Sequence, residues 1–253
     1  MKKIIVCIII LCLVLTTFFS FVACTEKPDK HLPDDPSTED GTSDTPETPD
    51  EGNAPQTPSA DEWTITDSTV ADEDKIRVVI YLTVGTENKH INLELYPTIA
   101  PLTVANFLRY VDEDYYNNIV FHRVIEGFMI QTGAYYVQDR TIYTKPGQHE
   151  AIKGEFAENG VENNISHLPG VISMARTNVM DSATSQFFIC SDDARVSLDG
   201  KYAGFGRVCD QQSLDVVVEI SKLPTAYIDY SLQDFPAQTL VTILSVERYV
   251  SGK

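Results

Sequence analysis

The sequence predicts a mainly β fold, a closed eight-stranded antiparallel β-barrel capped by two α-helices, and three observations lead there. Short apolar runs with period-two alternation recur from residue 76 onward, only two stretches carry a helical stripe, and no long strand–helix–strand alternation occurs. Two helices are too few to cover the faces of an open sheet, but they can plug the ends of a barrel. No internal repeat is visible in this region.

Ile76, Val78, Ile80, Leu82 and Val84 alternate with Arg77, Tyr81 and Thr83, and Ile91, Leu93 and Leu95 alternate with Asn92 and Glu94. The turn-like residues 85–89 between them make the pair a hairpin. Pro101 opens a helix where proline is tolerated, and Val104, Phe107, Leu108 and Val111 form its buried stripe. Residues 121–131 read as two strands joined at Gly127, with Phe121, Arg123 and Ile125 on one face and His122 and Val124 on the other. A Gly- and Tyr-bearing loop follows, then short apolar strands at 171–175 and 186–190. Residues 198–201, LDGK, signal a turn between an approaching strand and the strand 202–208. Ser213 is placed to cap a second helix with Leu214, Val217 and Val218 facing inward, and 239–249 is the last strand.

Charge divides the chain differently. The formal charge of −18 argues against a nucleic-acid partner, since phosphate binding needs a basic surface. Residues 25–74 hold 16 acidic and 2 basic side chains, so the remainder is only mildly acidic. Residues 25–60 also contain seven prolines and almost no large apolar residue. Such a stretch cannot bury enough surface to offset its ordering entropy, and it reads as an extended, disordered spacer.

Ahead of it, Lys2 and Lys3 precede an apolar run from residue 4 to 22 that ends in Ala23-Cys24, the pattern of an export signal. The run is long enough for an uncleaved membrane helix to be the alternative. Phe21-Val22-Ala23-Cys24 resembles the lipobox of bacterial lipoproteins, with Phe21 where Leu is more usual. The resemblance implies that Cys24 is acylated and becomes the mature N-terminus. The expected domains are therefore a lipoprotein signal peptide at 1–23, an acidic Pro-rich tether at 24–74 and a folded domain at 75–253. The expected location is extracytoplasmic, anchored to a bacterial membrane through Cys24. Only Cys190 and Cys209 remain for the folded part, too few for a disulfide framework, and buried free thiols are the first reading with a single bridge as the second.

Several chemistries lack their residues. The five histidines show no metal-ligand spacing, no CxxC occurs, and no GxSxG elbow is present. What stands out is residues 121–133, FHRVIEGFMIQTG, where a permanent cation lies beside an apolar run ending in an amide. That mixture suits a substrate with an apolar part and a carbonyl.

This segment, with GVISMART at 170–177, SQFFIC at 185–190 and LDGKYAGFGRV at 198–208, resembles the cyclophilin family of peptidyl-prolyl isomerases. ELYPTIAPLTVANF at 94–107 and IKGEFAENGVENNISH at 152–167 are similar to its bacterial members, and the likeness spans residues 75–249 in order. The resemblance implies an eight-stranded barrel with two capping helices, isomerisation of X-Pro bonds in unfolded or exported proteins, and no cofactor. By the same resemblance Arg123 is the catalytic residue. Phe128, Met129, Phe188 and Leu198 line the proline pocket, with Ala175 on its floor or flank. Gln131 holds Arg123 or meets the peptide, the Arg176 backbone bonds the residue before the proline, and His122, Gln186 and Tyr202 lie at the rim. The implied partners are proline-containing polypeptides, met by a monomer. A non-catalytic module that only holds proline-containing segments is the alternative. Departures from the family pattern are Glu126 where proline is usual, Ser197 where many eukaryotic members carry tryptophan, and Arg176-Thr177 in place of Asn-Ala.

Overall fold

The computed structural model describes residues 30–32 and 71–249. Its strands are β1 (Lys30–His31), β2 (Ile76–Val84), β3 (Glu87–Leu95), β4 (Ile119–Val120), β5 (Arg123–Ile125), β6 (Met129–Thr132), β7 (Tyr135–Gln138), β8 (Thr141–Thr144), β9 (Val171–Met174), β10 (Phe187–Cys190), β11 (Ala203–Val208) and β12 (Val241–Arg248). The helices are α1 (Pro101–Asp112), the single turn α2 (Arg195–Leu198) and α3 (Gln211–Ser221).

All strand pairings are antiparallel, and they close into a ring. β2 pairs β3, then β11, β9, β10 and β6 follow; β6 pairs β5, and β4 pairs β12, which returns to β2. β4 and β5 are one continuous run, as are β6 and β7, so eight strands surround the core as the sequence predicts. The first hairpin turns in two residues, with Gly85 at φ 60° supplying the positive φ such a turn requires, so β3 starts earlier than the sequence suggests.

Inside the ring, Ile80, Leu82, Ile91, Leu93, Phe187, Ile189 and Phe205 meet the predicted stripe of α1 and Val217 and Ile220 of α3. Phe107 is the hub, with ring centroids 5.3 Å from Phe187 and 5.4 Å from Tyr116 and Phe205. The start of α1 has no cap of its own. Glu155, 52 residues on, supplies it by accepting from the Thr103 N–H at 2.7 Å and the Leu102 N–H at 3.1 Å. The cap of α3 is Asp210, not Ser213. Asp210 has extended backbone and accepts from the Ser213 N–H, while Ser213 Oγ bonds onward to the Asn92 N–H. Val216 and Ile220 fill the inward face, and Val218 stays half-exposed.

The run 119–125 departs from simple alternation. Ile119, Phe121 and Val124 all enter the barrel core, so His122 and Arg123 both point out. Register explains it. Arg123 lies opposite Gln131 but Val120 lies opposite Tyr135, three steps on one strand against four on the other. This is a β-bulge, and it sits at Gly133, whose φ is 101°. A Cβ there would lie 2.4 Å from the Ser185 carbonyl oxygen, so only glycine fits.

Three further stretches differ from expectation. The Tyr-bearing segment is a hairpin, β7–β8, turned through Asp139 and Arg140 at φ 49° and 58°, residues that give no glycine signal. In place of a strand approaching residue 198 stands the short helix α2. Of the expected disordered tether, Lys30–His31 instead pairs with β8 as β1, and Leu32 is buried with Val120, Ile142, Leu232 and Phe235. The signal peptide, Cys24 and the rest of the tether up to residue 70 lie outside the described residues. Among the described residues no helix is long and apolar enough to cross a membrane.

Burial of Leu32 stabilises the domain by about 1.5–3 kcal/mol. Leu32→Ser should therefore lower the urea unfolding free energy by about 1–2 kcal/mol, and an unchanged midpoint would show that the strand β1 adds nothing to the fold.

Candidate active site

The slot is built outside the ring, where β5, β6 and β10 turn their second faces outward. The run Phe187–Cys190 is apolar throughout because both its faces are buried: Phe187 and Ile189 join the barrel core, Phe188 and Cys190 a second cluster. That cluster comprises Met129, Phe188, Cys190, Ala194 and Leu198, with Ile125, Phe128, Ala175 and Tyr202 packed at its edge. Above it opens a cavity of about 350 Å3 lined by Arg123, Phe128, Met129, Gln131, Ala175, Arg176, Phe188, Ser197, Leu198 and Tyr202.

Nine of the expected site residues meet here. The turn at Gly127, φ 68°, folds β5 onto β6 and brings Phe128 beside Met129. Arg123 stands on the rim with its Nε donating to Asp234 Oδ2 at 3.4 Å. Its two Nη groups have no protein partner among the described residues. Gln131 does not hold the arginine; its Nε2 donates to Gln186 Oε1 at 3.0 Å, forming an amide strut across β6 and the start of β10. Gln186 supports the cavity without lining it.

His122 is not brought to the slot. It is buried against Tyr135 of the β7–β8 hairpin, ring centroids 4.9 Å apart, where the alternation from Ile119 and Phe121 already sends it. The Arg176 side chain is a clasp. Its guanidinium lies 4.7 Å above Tyr202 and 4.9 Å above Phe156 and donates twice to the Lys201 carbonyl oxygen, at 3.1 Å and 2.9 Å. The Arg176 main chain makes no hydrogen bond among the described residues, which leaves its N–H and C=O for a peptide.

Two residues that the sequence does not single out support the site. Asp234 is one. The other is His167, fully buried behind Phe188, with Nδ1 2.8 Å from Asp199 and Nε2 3.0 Å from Ser173 Oγ. The carboxylate fixes the ring proton on Nδ1, so Nε2 accepts from the Ser173 hydroxyl. This Asp–His–Ser chain imitates a hydrolase triad, but Ser173 is fully buried and reaches no substrate. The His167 carbonyl oxygen also accepts from the Ala194 N–H and so seats α2, which carries Leu198. Cys190 and Cys209 are buried free thiols. Burial pushes the Cys190 thiol up to about 12, which removes it as a nucleophile.

Fold and site together define a closed antiparallel barrel that carries an apolar, arginine-edged slot on its outer wall. The family model described as cyclophilin type peptidyl-prolyl cis-trans isomerase/CLD matches residues 80–248, and the chain belongs to that family. A peptidyl-prolyl cis-trans isomerase of Acinetobacter baylyi is 40% identical over 163 residues, covering 62% of this chain and 79% of that protein. Peptidyl-prolyl cis-trans isomerase B of Escherichia coli is 34% identical over 167 residues, covering 63% and 94%. A Cryptosporidium parvum cyclophilin structure superposes with a TM-score of 0.53 at 23% identity, over 70% of this chain and 99% of that one, and shows the shared fold.

Burial holds the His167 imidazole below its usual pKa, against the Asp199 carboxylate, which pulls it upward. An unfolded imidazole takes its proton near about 6.5, and the folded one only at lower pH. The unfolded state therefore binds more protons as pH falls through that region, and stability declines. The urea midpoint should drop between pH 7.5 and 5.5, and His167→Asn should flatten the drop; an equal slope in both proteins would assign it to another group.

Proposed function

We propose that this chain, a peptidyl-prolyl cis-trans isomerase, speeds rotation about X-Pro bonds by meeting the twisted amide with Arg123 while the slot holds the proline ring. Rotation must break amide resonance, a barrier of roughly 18–20 kcal/mol, with no proton or nucleophile required. At the twisted geometry the prolyl nitrogen regains a lone pair, which a fixed N–H donor stabilises selectively. A guanidinium suits this, being planar, always charged and multiply donating. The observation that carries the reading is Arg123, anchored at Nε, with its Nη donors free on the rim of a cavity that no side chain of the domain fills. Burying three ring methylenes there is worth about 2–2.5 kcal/mol. The free N–H and C=O of Arg176 would fix the residue before the proline as an added strand edge, with Gln131 and Gln186 presenting their remaining amide atoms.

Shortening a reaction of tens of seconds to milliseconds takes about four decades, or roughly 5–6 kcal/mol. Exchange measurements on an Ala-Pro peptide should show acceleration by the wild type. Arg123→Ala should lose about a hundredfold or more while still binding peptide. Equal rates would remove the arginine from the mechanism, and no acceleration by either protein would favour a module that only holds proline segments.

The same reading places the enzyme outside the cytoplasm as a monomer held by acyl chains on Cys24, where it would act on exported proteins. The FVAC sequence at 21–24 and the basic, apolar leader before it support this. Five residues, making six Cα–Cα steps, separate Cys24 from Lys30, the first residue of β1. They span at most about 20 Å, so the leash is set by that short interval and the barrel would work close to the bilayer. Mass spectrometry of the mature N-terminus should find an acylated Cys24; a chain still beginning at Met1 would sink the anchor.

A further inference from the structure

Asp234 lies 111 residues from Arg123 in sequence and touches both it and its neighbour Val124. Its main-chain oxygen accepts the Val124 N–H at 3.0 Å, and its side-chain Oδ2 accepts the Arg123 Nε–H at 3.4 Å. The segment that carries it is itself pinned. Ala226 and Phe235 exchange two main-chain hydrogen bonds, of 2.8 Å and 3.1 Å. Leu232 and Phe235, on either side of Asp234, are fully buried against Val120 and Ile142. The carboxylate therefore has a fixed origin, although it stands in partial contact with water.

We infer that Asp234 is a positioning residue for isomerisation: it takes the one guanidinium nitrogen that the reaction does not need and so aims the other two into the slot. This rests on the proposed role of Arg123. A planar guanidinium gripped at Nε loses rotation about its last two torsions, and its Nη donors then point away from the grip, toward the cavity that Arg123 lines. Arginine is otherwise rich in rotamers, and a donor that wanders about an ångström off line forfeits much of its effect on a transition state. The geometry also separates this role from simple bracing. The two side chains are 39% and 35% exposed, and a pair so placed adds little to stability. Removing the carboxylate should therefore cost rate and leave the fold intact, the reverse of what a structural pair would do.

The test uses line-shape or exchange measurements on an Ala-Pro peptide that give kcat and KM separately, with a melting curve for every variant. Asp234→Ala should lower kcat about tenfold with KM nearly unchanged and Tm at the wild-type value. Asp234→Asn, whose amide oxygen still accepts from Nε, should recover most of the rate. In an Arg123→Ala background, Asp234→Ala should change nothing further, because no arginine is left to aim. Wild-type kcat in folded Asp234→Ala, a change confined to KM, or an equal loss in both backgrounds would each overturn the inference. If the alanine variant does not fold, Asp234→Ser takes its place under the same criteria. A wild-type rate in Arg123→Ala alone would instead remove the arginine mechanism, a result distinct from failure of the aspartate.

Discussion

Where two strands slip by one residue, the enzyme gets its working side. The run 119–125 faces the run 129–138, and three steps on the first oppose four on the second around Gly133. Through His122 the pleat alternates normally, sending that histidine out toward the β7–β8 hairpin; at the bulge Arg123 also stays out of the core and lines the slot. Without the extra residue, the alternation set at Ile119 and Phe121 would turn Arg123 into an apolar core. A guanidinium cannot be buried there unpaired except at high cost. The bulge also demands glycine, since the Ser185 backbone packs against the position a side chain would take. Gln186, next to that serine, reaches back to Gln131, so the constraint that frees the arginine also ties the two sides of the rim together.

Around this point the site is held by groups whose contacts run away from the slot. Arg176 clasps Lys201 and sandwiches itself between Tyr202 and Phe156; His167 seats α2 and backs Phe188; Asp234 holds Arg123. Each is charged or polar, and each finds its partners in a different segment of chain. The slot itself presents the Nη groups of Arg123, amide atoms and a stretch of main chain at Arg176. That economy suits a reaction that makes and breaks no bond.

A separate apolar cluster extends the same logic to residue 32. Leu32 completes a nucleus with Val120, Ile142, Leu232 and Phe235, and that nucleus fixes the segment bearing Asp234. A stretch rich in proline and acid thus contributes one leucine to the support of the rim. Three residues suffice because β8 offers an open edge for main-chain pairing and a ready apolar hollow beside it.

The barrel, the stripe of α1, the two free cysteines and nine of the residues around the slot were legible in the sequence, because periodicity and local motif are short-range signals carried by the chain itself. Strands that are apolar on both faces, such as Phe187–Cys190, announce two buried environments before either is seen. Only the folded molecule decided the rest. It kept Arg123 out of the core through a register slip and capped α1 with Glu155 from 52 residues on. It paired Gln131 with Gln186 in place of Arg123, and it brought Asp234 to the arginine across 111 residues. Those outcomes depend on which distant strands lie side by side, and no local pattern encodes an acceptor whose donor lies on another part of the sheet.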